Sequence, residues 1–325
     1  MIENVQYRVL GVMSGTSLDG VDLVICTFTK TNKWAFEIIK SETVKYSNLW
    51  KKTLAELHLE NEEEITQINK DYGRFLGEII SSFLLREKVD FIASHGHTIF
   101  HEPENKYTLQ IGCGETISKK TKTTTINDFR SLDISLSGQG APLVPIGDKI
   151  LFAERAEAFL NIGGFSNVCF PGEVTIAFDV CPGNLPMNRI VNSLDMEYDA
   201  EGLLAKSGEI DSVLLEKLSK IEFYKELPPK SLGVEWLNEH FYPILDSIED
   251  HKNKLRTYVE YIAIQITQQL KATKKNSVLI TGGGALNTFL IDRIGFHYSG
   301  TIVIPDNELI NFKEAIVFGF LGALY

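Results

Sequence analysis

Apolar and polar positions follow one order twice along the chain. Tyr7 to Met13 is an apolar run that predicts a strand. It breaks at Ser14-Gly-Thr-Ser-Leu-Asp-Gly20 and resumes as a second strand from Val21 to Phe28. Trp34 to Tyr46 alternates, which predicts a third strand and an antiparallel meander. From Ile65 to Lys88, Ile65, Ile68, Tyr72, Phe75, Leu76, Ile79, Ile80 and Phe83 recur at i, i+3, i+4 and i+7, the spacing of one helix face. Val89 to Ser94 then reads as a short buried strand ending in the polar turn His95-Gly-His-Thr98. Three strands, a helix and a strand predict a mixed sheet with a crossover helix.

The order returns at Ala158 to Ile162, a strand followed by the glycine turn Gly163-Gly-Phe-Ser-Asn167. Val168 to Phe170 and Val174 to Phe178 are further strands, and Asp179-Val-Cys-Pro-Gly-Asn184 opens a helix through Asn188, Ile190 and Leu194. Leu255 to Leu270 has helical periodicity. The strand Ser277 to Thr281 runs into Gly282-Gly-Gly-Ala-Leu-Asn287, then a helix, a strand from Thr301 to Pro305, and an apolar helix from Phe312. These are two copies of one pattern without sequence identity between them. Two such units predict a ligand cleft between domains. The last helix is apolar nearly all round, so it is predicted to be buried and to return to the first domain. The predicted domains are 1–127 plus 308–325, and 128–307.

Length and charge narrow the function. A chain of 325 residues is long enough for two domains with full cores. Its 32 basic against 43 acidic residues give a net charge of −11, which argues against a general nucleic-acid surface. A phosphorylated ligand stays compatible, because local N–H groups and helix ends set the field at a site. Cys26, Cys113, Cys169 and Cys181 form no C-x-x-C pair, as expected of free thiols in a reducing compartment. Neither a signal peptide nor a membrane-spanning apolar run is read, so the expected location is cytoplasmic.

Gly15 and Gly20, with the hydroxyls of Ser14, Thr16 and Ser17, suit a hairpin that turns several N–H groups toward one anion; a plain tight hairpin fits the same residues. No lysine follows these glycines, so this is not a Walker A loop. Three glycine clusters after strands point to a nucleotide. The one at Gly282 lacks the last glycine of a dinucleotide fingerprint, which disfavours a dehydrogenase. Asp179 is either a capping carboxylate or a general base beside helix N–H groups. Asp19, with Asp22 as a second candidate, suits Mg²⁺ through water. His95, His97 and His101 could bind zinc, contact sugar hydroxyls or form a polar loop; no accompanying cysteine supports zinc. Arg130 is a candidate anion partner, and Gly138 to Pro145 a ligand-shaping loop or a surface turn.

Together these segments resemble the anhydro-N-acetylmuramic acid kinase family, within the acetate/sugar kinase, Hsp70 and actin superfamily. The resemblance rests on Met13 to Asp22, Ser94 to His101, Thr108 to Gly112, Asp128-Phe-Arg130, Gly138 to Pro145, Asn161 to Asn167, Asp179 with Pro182-Gly-Asn184, Pro228 to Ser231, Gly282 to Asn287 and Glu314-Ala315. It implies an α/β fold of two RNase H-like, actin-like ATPase domains with five-stranded mixed sheets. It also implies an ATP- and Mg²⁺-dependent cytoplasmic kinase that opens 1,6-anhydro-N-acetylmuramic acid with water to give the 6-phosphate, in cell-wall recycling. By this resemblance Asp179 is the base. Ser14, Gly15, Thr16, Ser17, Leu18, Asp19 and Gly20 hold phosphates, while Gly163, Gly164, Gly282, Gly283, Gly284 and Asn287 complete the ATP site. His95, His97, Arg130 and Glu314 face the sugar, and a homodimer is expected.

Several positions depart from the family pattern: Val180-Cys181 for Thr-Gly, His97 for Gln, Gly147-Asp148 for aromatic or His residues, and Leu232-Gly-Val234 for Thr-Gly-Arg. They mark a divergent branch. The competing readings are a kinase for another sugar or anhydrosugar, and a nucleotide- or sugar-binding sensor without chemistry.

Overall fold

The computed structural model describes residues 5–15 and 18–325. Its first sheet grows from the opening meander, β1 (Val5–Ser14), β2 (Gly20–Lys30) and β3 (Trp34–Lys45). The antiparallel register sets Met13 opposite Asp22, and Asp22 opposite Thr43. β4 (Phe91–Ser94) runs parallel to β1, and β7 (Thr125–Asn127) parallel to β4, after a separate hairpin has intervened. The parallel return needs a crossover, and the helix Glu62–Leu84 supplies it. Asn61 caps that helix by accepting from the Glu64 N–H, and three glutamates in its first turn suit the positive end of the dipole. Its face of Tyr72, Leu76, Ile80 and Phe83 packs on Leu10, Val12, Leu23 and Ile25 of the sheet.

The hairpin is β5 (His97–Glu102) with β6 (Tyr107–Ile111). The predicted polar turn is therefore only two residues long before a strand begins. The stretch His97 to Glu102 is mostly polar and has no apolar face to announce it; pairing with β6 makes it a strand.

The second sheet contains β8 (Ala158–Ile162), β9 (Phe165–Phe170), β10 (Ile176–Pro182), β11 (Ser277–Thr281) and β12 (Thr301–Val303). Its order, β10-β9-β8-β11-β12, repeats the first sheet's β3-β2-β1-β4-β7. Two details differ from expectation. The glycine turn is only Gly163-Gly164, because β9 starts at Phe165. Asp179 does not open a helix: β10 continues through Pro182, with a bulge between Asp179 and Cys181, and the helix begins at Asn184. Pairing with β9 carries the strand past the point where Pro-Gly suggested a turn. The helix His251–Ala272 buries Val259, Ile262 and Ile266 in the same core as Leu160, Val168, Val180 and Ile280.

These elements form two compact units, Met1–Leu151 with Phe312–Tyr325, and Phe152–Asn311. Residues 128–151, expected in the second domain, cluster with the first. Arg130 bonds His95, and the buried pair Lys313–Asp148, at 2.6 Å, joins the short helix Pro145–Ile150 to the closing helix Asn307–Leu324. No helix among the described residues is long and apolar enough to cross a membrane.

The closing helix approaches β1 at Gly11. A Cβ there would lie 2.0 Å from the Ala315 carbonyl oxygen, so only glycine permits this contact. Gly11→Ala is expected to lower stability by about 1–3 kcal/mol through overpacking. Urea unfolding tests this: the midpoint should fall with an unchanged slope, and an unmoved midpoint would mean that the helix can be displaced at no cost.

Candidate active site

In the first unit the candidate residues gather near the end of β1. Ser14 is buried and accepts a hydrogen bond from the Tyr72 hydroxyl at 2.7 Å. The Gly15 carbonyl accepts from the Leu18 N–H at 3.4 Å, with Leu18 in the left-handed region at φ +59°. Thr16 and Ser17 lie outside the described residues. Gly20 restarts the ladder opposite Lys45, where a Cβ would sit 2.5 Å from the Val44 carbonyl oxygen. Asp19 is exposed. Asp22 accepts from the Thr43 hydroxyl at 2.6 Å, and burial holds its carboxyl above the usual range.

His95 and Arg130 act as one group. The His95 Nε2 accepts from Arg130 Nη2 at 2.9 Å and faces its Nε at 3.1 Å, while Nδ1 donates to the Gly96 carbonyl at 2.8 Å. Arg130 Nη1 donates to the Gly140 carbonyl at 2.7 Å, which ties the loop Gly138 to Pro145 to the pair. Burial, helped by the guanidinium, lowers the His95 pKa to about 3, so the ring is neutral and its tautomer is set. Both ring nitrogens are thus occupied within the protein, and the ring lies 4.4 Å from that of Phe318. This makes His95 a support for Arg130. His97 is buried with its Nδ1 unpartnered, and burial lowers its pKa to about 4. Glu314 has a raised pKa, chiefly from burial, with Asp22 adding to the rise and Lys313 and Arg130 opposing it. Among the described residues no group of three or more His, Cys, Asp or Glu is placed to hold a metal ion.

In the second unit three turns meet at one end of the sheet. Gly183 N–H donates to the Gly164 carbonyl and Asn184 N–H to the Gly163 carbonyl, both at 2.8 Å. The Asn184 side chain donates to the Ile162 carbonyl at 3.1 Å. Gly282 has φ +80°, and a Cβ there would sit 2.7 Å from the Ile162 carbonyl oxygen; one on Gly284 would strike the Ile162 side chain. Asn287 is buried, and its Oδ1 caps the helix Thr288–His297 by accepting from the Leu290 N–H at 3.0 Å. Gly283 has open space beside it by comparison, its nearest neighbour being the Asn184 amide at 3.5 Å.

Asp179 projects from this sheet on the face opposite the apolar core formed by Phe178 and Val180. Its Oδ2 accepts from the Leu232 N–H at 2.8 Å, and its own N–H donates to the Lys230 carbonyl at 3.1 Å. The expected helix N–H groups are not its partners; an amide from the loop after Pro228-Pro229 takes that place. Burial raises the Asp179 pKa and the Leu232 N–H partly opposes it, the setting of a carboxylate moved toward proton acceptance. Sequence reasoning noted Leu232 only as a departure from the family pattern and Tyr72 only as part of a helix face, and missed the bonds they make to Asp179 and Ser14. Neither residue type announces a role, because one contributes only its backbone and the other reads as helix core.

A family model described as anhydro-N-acetylmuramic acid kinase matches residues 7–325. The chain belongs to this family. It is 32% identical over 338 residues to the anhydro-N-acetylmuramic acid kinase of Sulfurovum sp. (strain NBC37-1), covering 97% of this chain and 91% of that one. Its identity to the Mannheimia succiniciproducens protein of the same name is 34% over 347 residues, covering 98% and 92%. Among solved structures, component A of the (R)-2-hydroxyglutaryl-CoA dehydratase from Acidaminococcus fermentans superposes with a TM-score of 0.51 at 12% identity. It covers 98% of this chain and 100% of that one, a likeness of fold. The α/β architecture of two five-stranded mixed sheets agrees with the fold class expected from the sequence.

In this member of the anhydro-N-acetylmuramic acid kinase family, the departure at Cys181 points inward. The thiol is fully buried in the core, and burial pushes it up to about 12, so it stays protonated and inert. The departure at Leu232 bears on Asp179 through its main chain only.

The depressed His95 pKa has a consequence for stability. The unfolded chain takes a proton on a histidine near pH 6.5, the folded protein on His95 only near 3. Stability from this group is therefore complete above pH 6.5 and is lost as pH falls through that window, by up to about 1.4 kcal/mol per pH unit. Urea midpoints measured from pH 7 to 4 should fall less steeply in His95→Gln than in the parent. An equal slope in both would mean that the native ring is already protonated.

Proposed function

We propose that this protein is an ATP-dependent kinase that opens the 1,6-anhydro ring of 1,6-anhydro-N-acetylmuramic acid and phosphorylates O6. Membership of the family carries the substrate class; the setting of Asp179 supports the chemistry. In this reading a water attacks C1 and gives its proton to Asp179, the C1–O6 bond breaks, and O6 takes the γ-phosphoryl group as ADP leaves. The products are N-acetylmuramic acid 6-phosphate and ADP, the step expected of cytoplasmic cell-wall sugar recycling. Such a transfer depends on alignment and charge stabilisation more than on covalent catalysis.

The reading assigns the phosphates to Ser14, Gly15, Leu18, Asp19 and Gly20 of the first unit, with Thr16 and Ser17 completing the loop. It assigns the base to the second unit, with Gly163, Gly164, Gly282, Gly283, Gly284 and Asn287 shaping the nucleoside side. Arg130, oriented by His95, and Glu314 and His97 are assigned to the sugar. Mg²⁺, when bound, would neutralise charge on the β- and γ-phosphates. Asp19, exposed and within electrostatic reach of Asp22, fits the single water-mediated carboxylate such a phosphate-held ion needs. A homodimer is the assembly we expect.

A second reading, a kinase for a different sugar, is favoured by one observation: the altered stretch Leu232-Gly-Val234 begins at the residue that bonds Asp179. Incubation with Mg·ATP and a panel of sugars separates the two. Under the first reading the anhydrosugar gives a sugar phosphate, and in ¹⁸O-water the label enters at the C1 hydroxyl. Phosphate transfer to another sugar alone would select the second. Asp179→Asn is expected to cut kcat by about 10²–10⁴-fold while ATP affinity stays within about threefold. Unchanged turnover would remove Asp179 from the mechanism.

A further inference from the structure

Three buried hydroxyls form a line that ends at the opening hairpin. The Tyr46 and Tyr72 hydroxyl oxygens are 2.5 Å apart, and Tyr72 donates to Ser14 Oγ at 2.7 Å. Tyr46 is 5%, Tyr72 0% and Ser14 1% exposed. The two rings belong to the apolar core of the first unit, where Tyr72 stacks against Phe75 at 5.9 Å and meets Trp50 edge-on at 5.2 Å. Phenylalanine would fill either position equally well, so packing does not account for the hydroxyls.

Proton counting gives the line a direction. Each hydroxyl has one proton and two lone pairs. Tyr72 gives its proton to Ser14, so Tyr46 must give its own to Tyr72. Ser14 therefore accepts from inside the core and keeps its proton for an acceptor beyond it. The reverse polarity is excluded at the Tyr72–Ser14 bond, where Tyr72 is the donor; the Tyr46 hydroxyl also faces Ser14. Each bond in such a series also polarises the next, which strengthens the last donor. A phosphoryl oxygen is purely an acceptor, so a serine held as a donor suits it.

We propose that Tyr72, backed by Tyr46, is a positioning residue that fixes the Ser14 hydroxyl as a hydrogen-bond donor to the terminal phosphoryl group of a bound nucleoside triphosphate. The inference rests on the ATP reading given above, and it adds a device that lies outside the glycine-rich motif, on the crossover helix.

The test compares Mg·AMPPNP with Mg·ADP by calorimetric titration of the full chain, since only the first carries the terminal phosphoryl. Ser14→Ala should weaken AMPPNP about tenfold relative to ADP, the size of one hydrogen bond to a charged group. Tyr72→Phe should shift the same ratio about fivefold, and Tyr46→Phe, which leaves the bond to Ser14 in place, about threefold. Because Tyr72 acts through Ser14, Ser14→Ala with Tyr72→Phe should bind like Ser14→Ala alone. Losses that add in the double variant would give Tyr72 a merely structural role and overturn the proposal. So would a wild-type ratio in both tyrosine variants; should Tyr72→Phe fail to fold, Tyr46→Phe decides. Failure of the wild-type protein to bind either nucleotide would sink the ATP reading as well, whereas wild-type discrimination with unaffected tyrosine variants would sink this inference alone.

Discussion

Burial, opposed by a single main-chain amide, sets the state of the carboxylate on which the proposed chemistry turns. Burial alone would drive Asp179 toward its neutral form; the Leu232 N–H restrains that drift. The outcome is a group moved toward proton acceptance yet still anchored in direction. The register places it in a polar row across four strands, with Thr281 opposite Asn161, Asn161 opposite Asn167, and Asn167 opposite Asp179. Apolar neighbours such as Leu160, Val168, Phe178 and Ile280 occupy the other face. The bulge after Asp179 returns both Val180 and Cys181 to the core, which ends the alternation where the glycine turns begin.

Rigidity around that carboxylate comes from interlocked turns. Gly183 can lie against the Gly163–Gly164 corner because a Cβ there would come within 2.4 Å of the Gly163 carbonyl oxygen. The buried Tyr258 hydroxyl lies within hydrogen-bonding distance of the carbonyls of Pro182 and Gly183, at 2.8 and 3.0 Å. The turn is thus held from the helix His251–Ala272 beneath it. In the first unit the corresponding support is Tyr72 beneath Ser14. The two halves carry the same sheet order, and in each a helix tyrosine braces the end of a strand by its hydroxyl.

Much of this was legible in the residues. Periodicity located the meander, the crossover helix from Ile65 and the repeated strand order, because each buries a regular apolar face. The glycine clusters marked sites of close backbone approach. What the chain did not reveal depends on partners distant in sequence. The strand from His97 has only Ile99 and Phe100 between polar residues, too little alternation to announce it, and is defined by its pairing with β6. Strand β10 outlasts its Pro-Gly signal because β9 continues to pair with it. The Leu232 amide has no side-chain signature. The attachment of 128–151 to the first unit follows from Arg130 meeting His95 and from Lys313 meeting Asp148, pairs that no local pattern encodes.

The closing helix has a consequence for the order of assembly. Its segment Phe312–Tyr325 belongs with Met1–Leu151, while the chain between them makes a unit of its own. On a ribosome the second unit is wholly synthesised before the helix that covers β1 exists. The nascent first sheet must therefore wait with Gly11 and Phe28 uncovered, and its completion depends on residues made after the whole second unit.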